Sequence, residues 1–208
     1  MVRIYCANIK DFDLSIADSF PIRLKEEVAK YKFEVDQLRC ALGKFLLKSA
    51  LQSDYNLDKE VLTYLERDAL NKPYLSNTDL HFNISHAGDY VVCAVANCEI
   101  GIDIEQVKPI DLEDFNAVLN ANDHEFINSF AQEIPAFFNV WSIKEAIMKA
   151  DGRGMHIDPK EIYPDYTTLN CTLDELSWSI QKVNIDLDYS CYLASGELLK
   201  TKVIPVKS

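Results

Sequence analysis

The chain has 208 residues, 48% hydrophobic and 26% charged, with a formal net charge of −12 at pH 7. That length buries a sizeable core in one large domain or two packed halves, and the acidity argues against nucleic acid as the main partner. No apolar run approaches a membrane span, no basic-then-apolar leader opens the chain, and none of the six cysteines forms a C-x-x-C pair, so a cytoplasmic, reducing setting without membrane contact or zinc is expected.

In chain order, residues 2–9 read as a strand and 32–52 as an amphipathic helix with Val35, Leu38, Leu42, Phe45, Leu46 and Ala50 at helical spacing. Asn71 and Pro73 carry turn chemistry, and 81–85, 89–97 and 100–107 read as three successive strands. Helical segments are expected near 111–120 and 122–132. A clear helix follows Pro135 and stops at Gly152. Strands close the sequence at 178–185, 188–195 and 201–206. DYVVCAVAN and DYSCYLAS lie about 99 residues apart, close to half the chain, a weak sign of two similar halves. The charge is uneven as well: residues 1–99 hold 12 basic and 15 acidic side chains, residues 100–208 hold 9 and 18.

The stretch GIDIEQV (101–107) places two carboxylates in an apolar strand. Side chains two apart share a face, so Asp103 and Glu105 point together, away from Ile102 and Ile104. Alternation alone favours a half-exposed strand with a solvated polar face. The competing reading is a pair of oxygen ligands aimed at a cation. In the helix WSIKEAIMKA, Ile143, Ala146, Ile147 and Ala150 fill one arc, a normal core face. Opposite lie Trp141, Lys144, Glu145, Met148 and Lys149, and a Trp and a Met on that side imply a second, partly enclosed face. Taken alone, Glu145 and Lys149 are an i,i+4 surface ion pair. Beside Asp103 and Glu105 they complete a hard oxygen site of the kind Mg²⁺ takes, with a lysine at hand for phosphate.

An anion needs its own residues. Lys72 precedes Pro73 in a restricted turn, Ser85 and His86 stand at a strand exit, and Arg39 lies on the first long helix; Lys30, Lys32 and Lys44 read as ordinary surface lysines. Phe115, Leu119, Phe126 and Phe130 read as core more readily than as a partner contact.

Three motifs, KPYL…FNISHA (72–87), GIDIE (101–105) and WSIKEAIMKADGRG (141–154), together resemble the 4′-phosphopantetheinyl transferases of the two-lobed, surfactin-synthetase-associated type. The resemblance extends over about residues 1–205 in length and element order. It implies an α/β (α+β) fold of two pseudo-symmetric halves, 1–99 and 100–208, each a small, mainly antiparallel sheet with a packed long helix, the active site lying between the halves. It implies transfer of the phosphopantetheine arm of coenzyme A to a serine of an apo acyl or peptidyl carrier protein. The sequence gives no decisive sign of oligomerisation, and a monomer is the default expectation. Asp103, Glu105 and Glu145 would hold Mg²⁺, with Mn²⁺ as a substitute. Lys149 would contact the pyrophosphate, Lys72 and His86 the adenosine phosphates, and Arg39 and Ser85 the nucleotide. Glu145, with Glu105 as rival, would accept the serine proton. A non-catalytic coenzyme A-binding protein and a Mg²⁺-dependent pyrophosphohydrolase are the alternatives. Asn71 replaces the family's usual glycine, and Asn tolerates left-handed backbone well enough to keep the turn.

Overall fold

The computed structural model describes residues 1–207, as a mixed α+β chain. In chain order the regular elements are β1 (Val2–Asn8), α1 (Ile22–Ala29), α2 (Glu34–Tyr55), β2 (Leu65–Arg67), β3 (Pro73–Leu75), β4 (His81–Ala87), β5 (Tyr90–Ala96), β6 (Ile100–Gln106), α3 (Ala121–Asn128), α4 (Glu133–Asp151), β7 (Asn170–Leu173), β8 (Leu176–Lys182), β9 (Tyr189–Ser195) and β10 (Thr201–Pro205). They form two compact units, one of Met1–Asn97 with the chain from Lys200 onward, the other Cys98–Leu199. No helix is long and apolar enough to cross a membrane.

The first unit is built on a four-stranded sheet in the order β10-β1-β5-β4. The β1–β5 and β5–β4 pairs are antiparallel. The β1–β10 pair is parallel, with Val2 opposite Thr201. Leu42, Leu46, Ala50 and Leu51 of α2 are fully buried in a cluster with Val91, Cys93 and Val95 of β5. Acidic Glu34 and Asp36 in the first turn of α2 suit the positive end of the helix dipole. The expected division at residue 99 kept the last strand with the second half. Pairing with β1 moves it to the first, and Ile204 and Val206 pack on that unit's core.

The second unit has the order β6-β9-β8-β7, antiparallel throughout. Helix α4 packs on β6 and β9. Gly101 makes this close fit: a Cβ there would stand 2.1 Å from the Ala146 carbonyl oxygen and 2.3 Å from the Ala150 nitrogen. The helix ends as expected, with Gly152 at φ 92°, a left-handed cap that glycine adopts without steric cost.

Three expectations change. Strand β6 is not half-exposed: Ile100, Ile102 and Ile104 are buried on one side and Asp103 on the other, because α4 covers the polar face. Residues 111–120 form only a 3₁₀ turn at Leu112–Phe115, and α3 starts at Ala121 because Asn120 and Asp123 close a reciprocal capping box there. Lys44, read as a surface lysine, is buried at 7% exposure. Of the six thiols, Cys6, Cys93, Cys171 and Cys191 are buried, and none is in a disulfide among the described residues.

Candidate active site

In the second unit the residues singled out in β6 and α4 do meet. Asp103 lies opposite Tyr192 in the ladder with its side chain almost wholly buried, and Lys149 Nζ donates to Asp103 Oδ1 at 2.6 Å. Lys149 thus makes a strand-to-helix ion pair with Asp103 beyond the i,i+4 pairing that the helix taken alone suggests. Burial works against the Lys149 charge, but Asp103, followed by Glu145 and Glu105, outweighs it and holds the ammonium above its ordinary pKa. Glu145, one turn earlier, is half-buried. Loss of water pushes its carboxyl up; Lys149 opposes this and Asp103 adds to it. Glu105 is pushed up to about 7, first by burial and then by Asp103 and Glu145, against the pull of Lys149 and a hydrogen bond from Trp141.

Three carboxylates thus crowd around one ammonium. Like-charge crowding that a single lysine offsets is the chemistry a divalent cation relieves, and the donors are the hard oxygens that Mg²⁺ prefers. As the side chains stand, no three His, Cys, Asp or Glu among the described residues form a ready cage.

Lys144 completes the helix differently from its expected place on a polar face. It is fully buried, with its ammonium donating to Asp123 and, at 2.8 Å, to the Pro159 carbonyl. Tyr166 donates its hydroxyl to the other oxygen of Asp123, and the Asn120 amide reaches the carbonyls of Lys160 and Ile162. A closed polar node therefore ties α3, α4 and the 158–166 segment together. Of the apolar residues weighed as a partner contact, Leu119 is buried, Phe115 packs on Phe137, Phe126 stacks on Tyr166, and Phe130 is exposed.

The first unit carries a cationic cavity of about 510 Å³. Arg39 and His86 line it. Arg39 donates through Nε and Nη2 to the Gly88 carbonyl and through Nη1 to Asp36. Lys72 and Ser85 do not line it. Ser85 is buried in β4, and Lys72 follows Asn71, whose φ of 69° is the left-handed turn expected of it. Arg23, Lys44 and Arg67 also line the cavity, together with Glu27; the sequence reading missed Arg23 and Arg67 and set Lys44 aside as a surface lysine. One signal was present: Lys44 interrupts the otherwise apolar CALGKFLL of α2. Arg23 stands on α1 beside the helically spaced Leu24 and Val28 and reads as an ordinary polar-face residue, and Arg67 ends a strand too short to show a pattern.

Comparison with known proteins covers both units. A family profile described as 4′-phosphopantetheinyl transferase, N-terminal, matches residues 11–98, and one described as the 4′-phosphopantetheinyl transferase superfamily matches 99–194. The chain is similar to the 4′-phosphopantetheinyl transferase gsp of Aneurinibacillus migulanus, 33% identical over 68% of this chain and 60% of that protein. It is similar to psf-1 of Bacillus pumilus, 36% identical over 61% and 55%, and to Sfp of Bacillus subtilis (strain 168), 32% identical over 64% and 60%. The matched region thus spans less than two thirds of each of these relatives.

Proposed function

The chain belongs to the 4′-phosphopantetheinyl transferase superfamily, and from that premise we propose that it transfers the phosphopantetheine arm of coenzyme A to a serine of an apo acyl or peptidyl carrier protein. The observation that carries the reading is the meeting of Asp103, Glu105, Glu145 and Lys149 on facing elements. The serine oxygen attacks the phosphorus next to the pantetheine. The bond from that phosphorus to the bridging oxygen breaks, and adenosine 3′,5′-bisphosphate leaves with the electron pair. Such a transfer depends on positioning and on offsetting charge.

Lys149 faces the pyrophosphate and neutralises charge that moves to the leaving oxygen. The serine proton goes to Glu145 or to its rival Glu105. Asp103, Glu105 and Glu145 would hold Mg²⁺, or Mn²⁺ in its place, and the ion when bound supplies positive charge to the phosphates. The nucleotide end falls to the cationic cavity of the first unit, on Arg39 and His86 with Arg23, Lys44 and Arg67; roles for Lys72 and Ser85 rest on the family resemblance. The enzyme would act as a cytoplasmic monomer.

The test is intact-protein mass spectrometry of apo carriers of fatty-acid, polyketide and peptide-synthetase type, each incubated with the protein, coenzyme A and Mg²⁺. A phosphopantetheine mass gain, lost with EDTA and with Asp103→Ala, is expected. No gain on any carrier, with coenzyme A cleaved in the absence of carrier, would overturn transfer in favour of hydrolysis.

A further inference from the structure

The cavity of the first unit is cationic, yet a carboxylate sits among its cations. Glu27, in the last turn of α1, accepts from Arg67 Nη2 at 2.7 Å and from Lys44 Nζ at 3.4 Å, both on Oε1. Three segments meet in this contact: α1, α2 and the end of β2. Lys44 is the confined member, its side chain 9% exposed, and its other polar contact is Cys40 Sγ at 3.0 Å. The remaining arginines are held elsewhere. Arg23 donates to the carbonyls of Leu62, Thr63 and Leu65, and Arg39 to Gly88 and Asp36. The second acid of the lining, Glu66, accepts from the Tyr74 hydroxyl. Burial disfavours the Glu27 charge, but Lys44 and Arg67 outweigh it and keep the carboxyl below its ordinary pKa, so it is ionised at neutral pH.

A buried ammonium needs a counter-charge. Glu27 supplies it to Lys44, and a phosphate entering the same space would supply it instead. The two anions compete for one pair of cations. We infer that Glu27 is the resident counter-ion of the cavity, holding Lys44 and Arg67 until a polyanionic ligand displaces it, and thereby setting how tightly the nucleotide end is held. The inference rests on the reading that the cavity takes the nucleotide end of coenzyme A. Its consequence runs opposite to that of an ordinary binding residue: removing the carboxylate strengthens binding, and it slows loss of the bisphosphate product.

The experiment is calorimetric titration of adenosine 3′,5′-bisphosphate into the wild-type protein and Glu27→Gln, with thermal unfolding of both. The amide keeps the shape and removes the charge. The Kd is expected to fall about five- to tenfold, the scale of relieving one partly buried competing charge. Glu27→Ser predicts the same sign and serves if the amide fails to fold. If Glu27 only ties α1 to the rest of the unit, the variants melt at lower temperature and bind with unchanged or weaker affinity, which overturns the counter-ion role while the nucleotide assignment stands. No binding by either protein overturns the nucleotide assignment and the inference with it.

Discussion

Burial and neighbouring carboxylates hold the Glu105 carboxyl protonated up to about pH 7, which makes it a load on the fold. In the unfolded chain a glutamate ionises near its ordinary value of 4.5. Between 4.5 and 7 the folded state therefore binds more protons than the unfolded one, and stability falls as pH rises through that window. The shift corresponds to about 3 kcal/mol at pH 8. Glu105→Gln is expected to flatten the profile and to unfold at higher urea than wild type at pH 8 in EDTA; parallel profiles for the two proteins would show that Glu105 titrates normally. The positions of Asp103, Glu105, Glu145 and Lys149 were legible in the sequence, since a period of 2 in a strand and 3.6 in a helix fixes which side chains share a face. The contact of Glu27 with Lys44 and Arg67 was not. It joins residues 17 and 40 apart in sequence, and no local pattern records such a meeting.

Helix α4 touches β6 at backbone distance, and that places Lys149 within 2.6 Å of Asp103. Gly101→Ala would drive a methyl into the Ala146 carbonyl and the Ala150 amide, neither of which has a flexible side chain that can move aside. The helix must shift as a body. The expected cost is about 3 kcal/mol of stability and a loss of transfer on the order of 100-fold from misplacement of the facing groups. Melting temperature and turnover measured together check this, and wild-type values for both would show that the contact is soft. The stop of α4 at Gly152 was legible, because an αL cap has a residue preference. The burial of Lys144 was not legible: on a helical wheel it falls with the polar residues, and its partner Asp123 lies 21 residues away on α3.

At the scale of the whole chain, the second unit is an insertion in the first: the path leaves after β5, builds β6 to β9, and returns as β10 beside β1. Truncation after Leu199 is expected to speed amide hydrogen exchange in β1, β5 and α2 and to leave α4, β6 and β9 as slow as before; equal acceleration everywhere would mean that the two units unfold as one. The strand pattern of 201–206 was readable, but its destination was not, since a strand's sequence does not name its neighbour.

The parallel pairing of β1 with β10 also orders events during synthesis. A growing chain makes β1 before β6 to β9 and must wait for Thr201 before Val2 meets its partner. By then the residues of β6, β9 and α4 are already made and free to condense on one another. The half that bears Asp103, Glu105, Glu145 and Lys149 is therefore complete in sequence before the half that bears the cationic cavity.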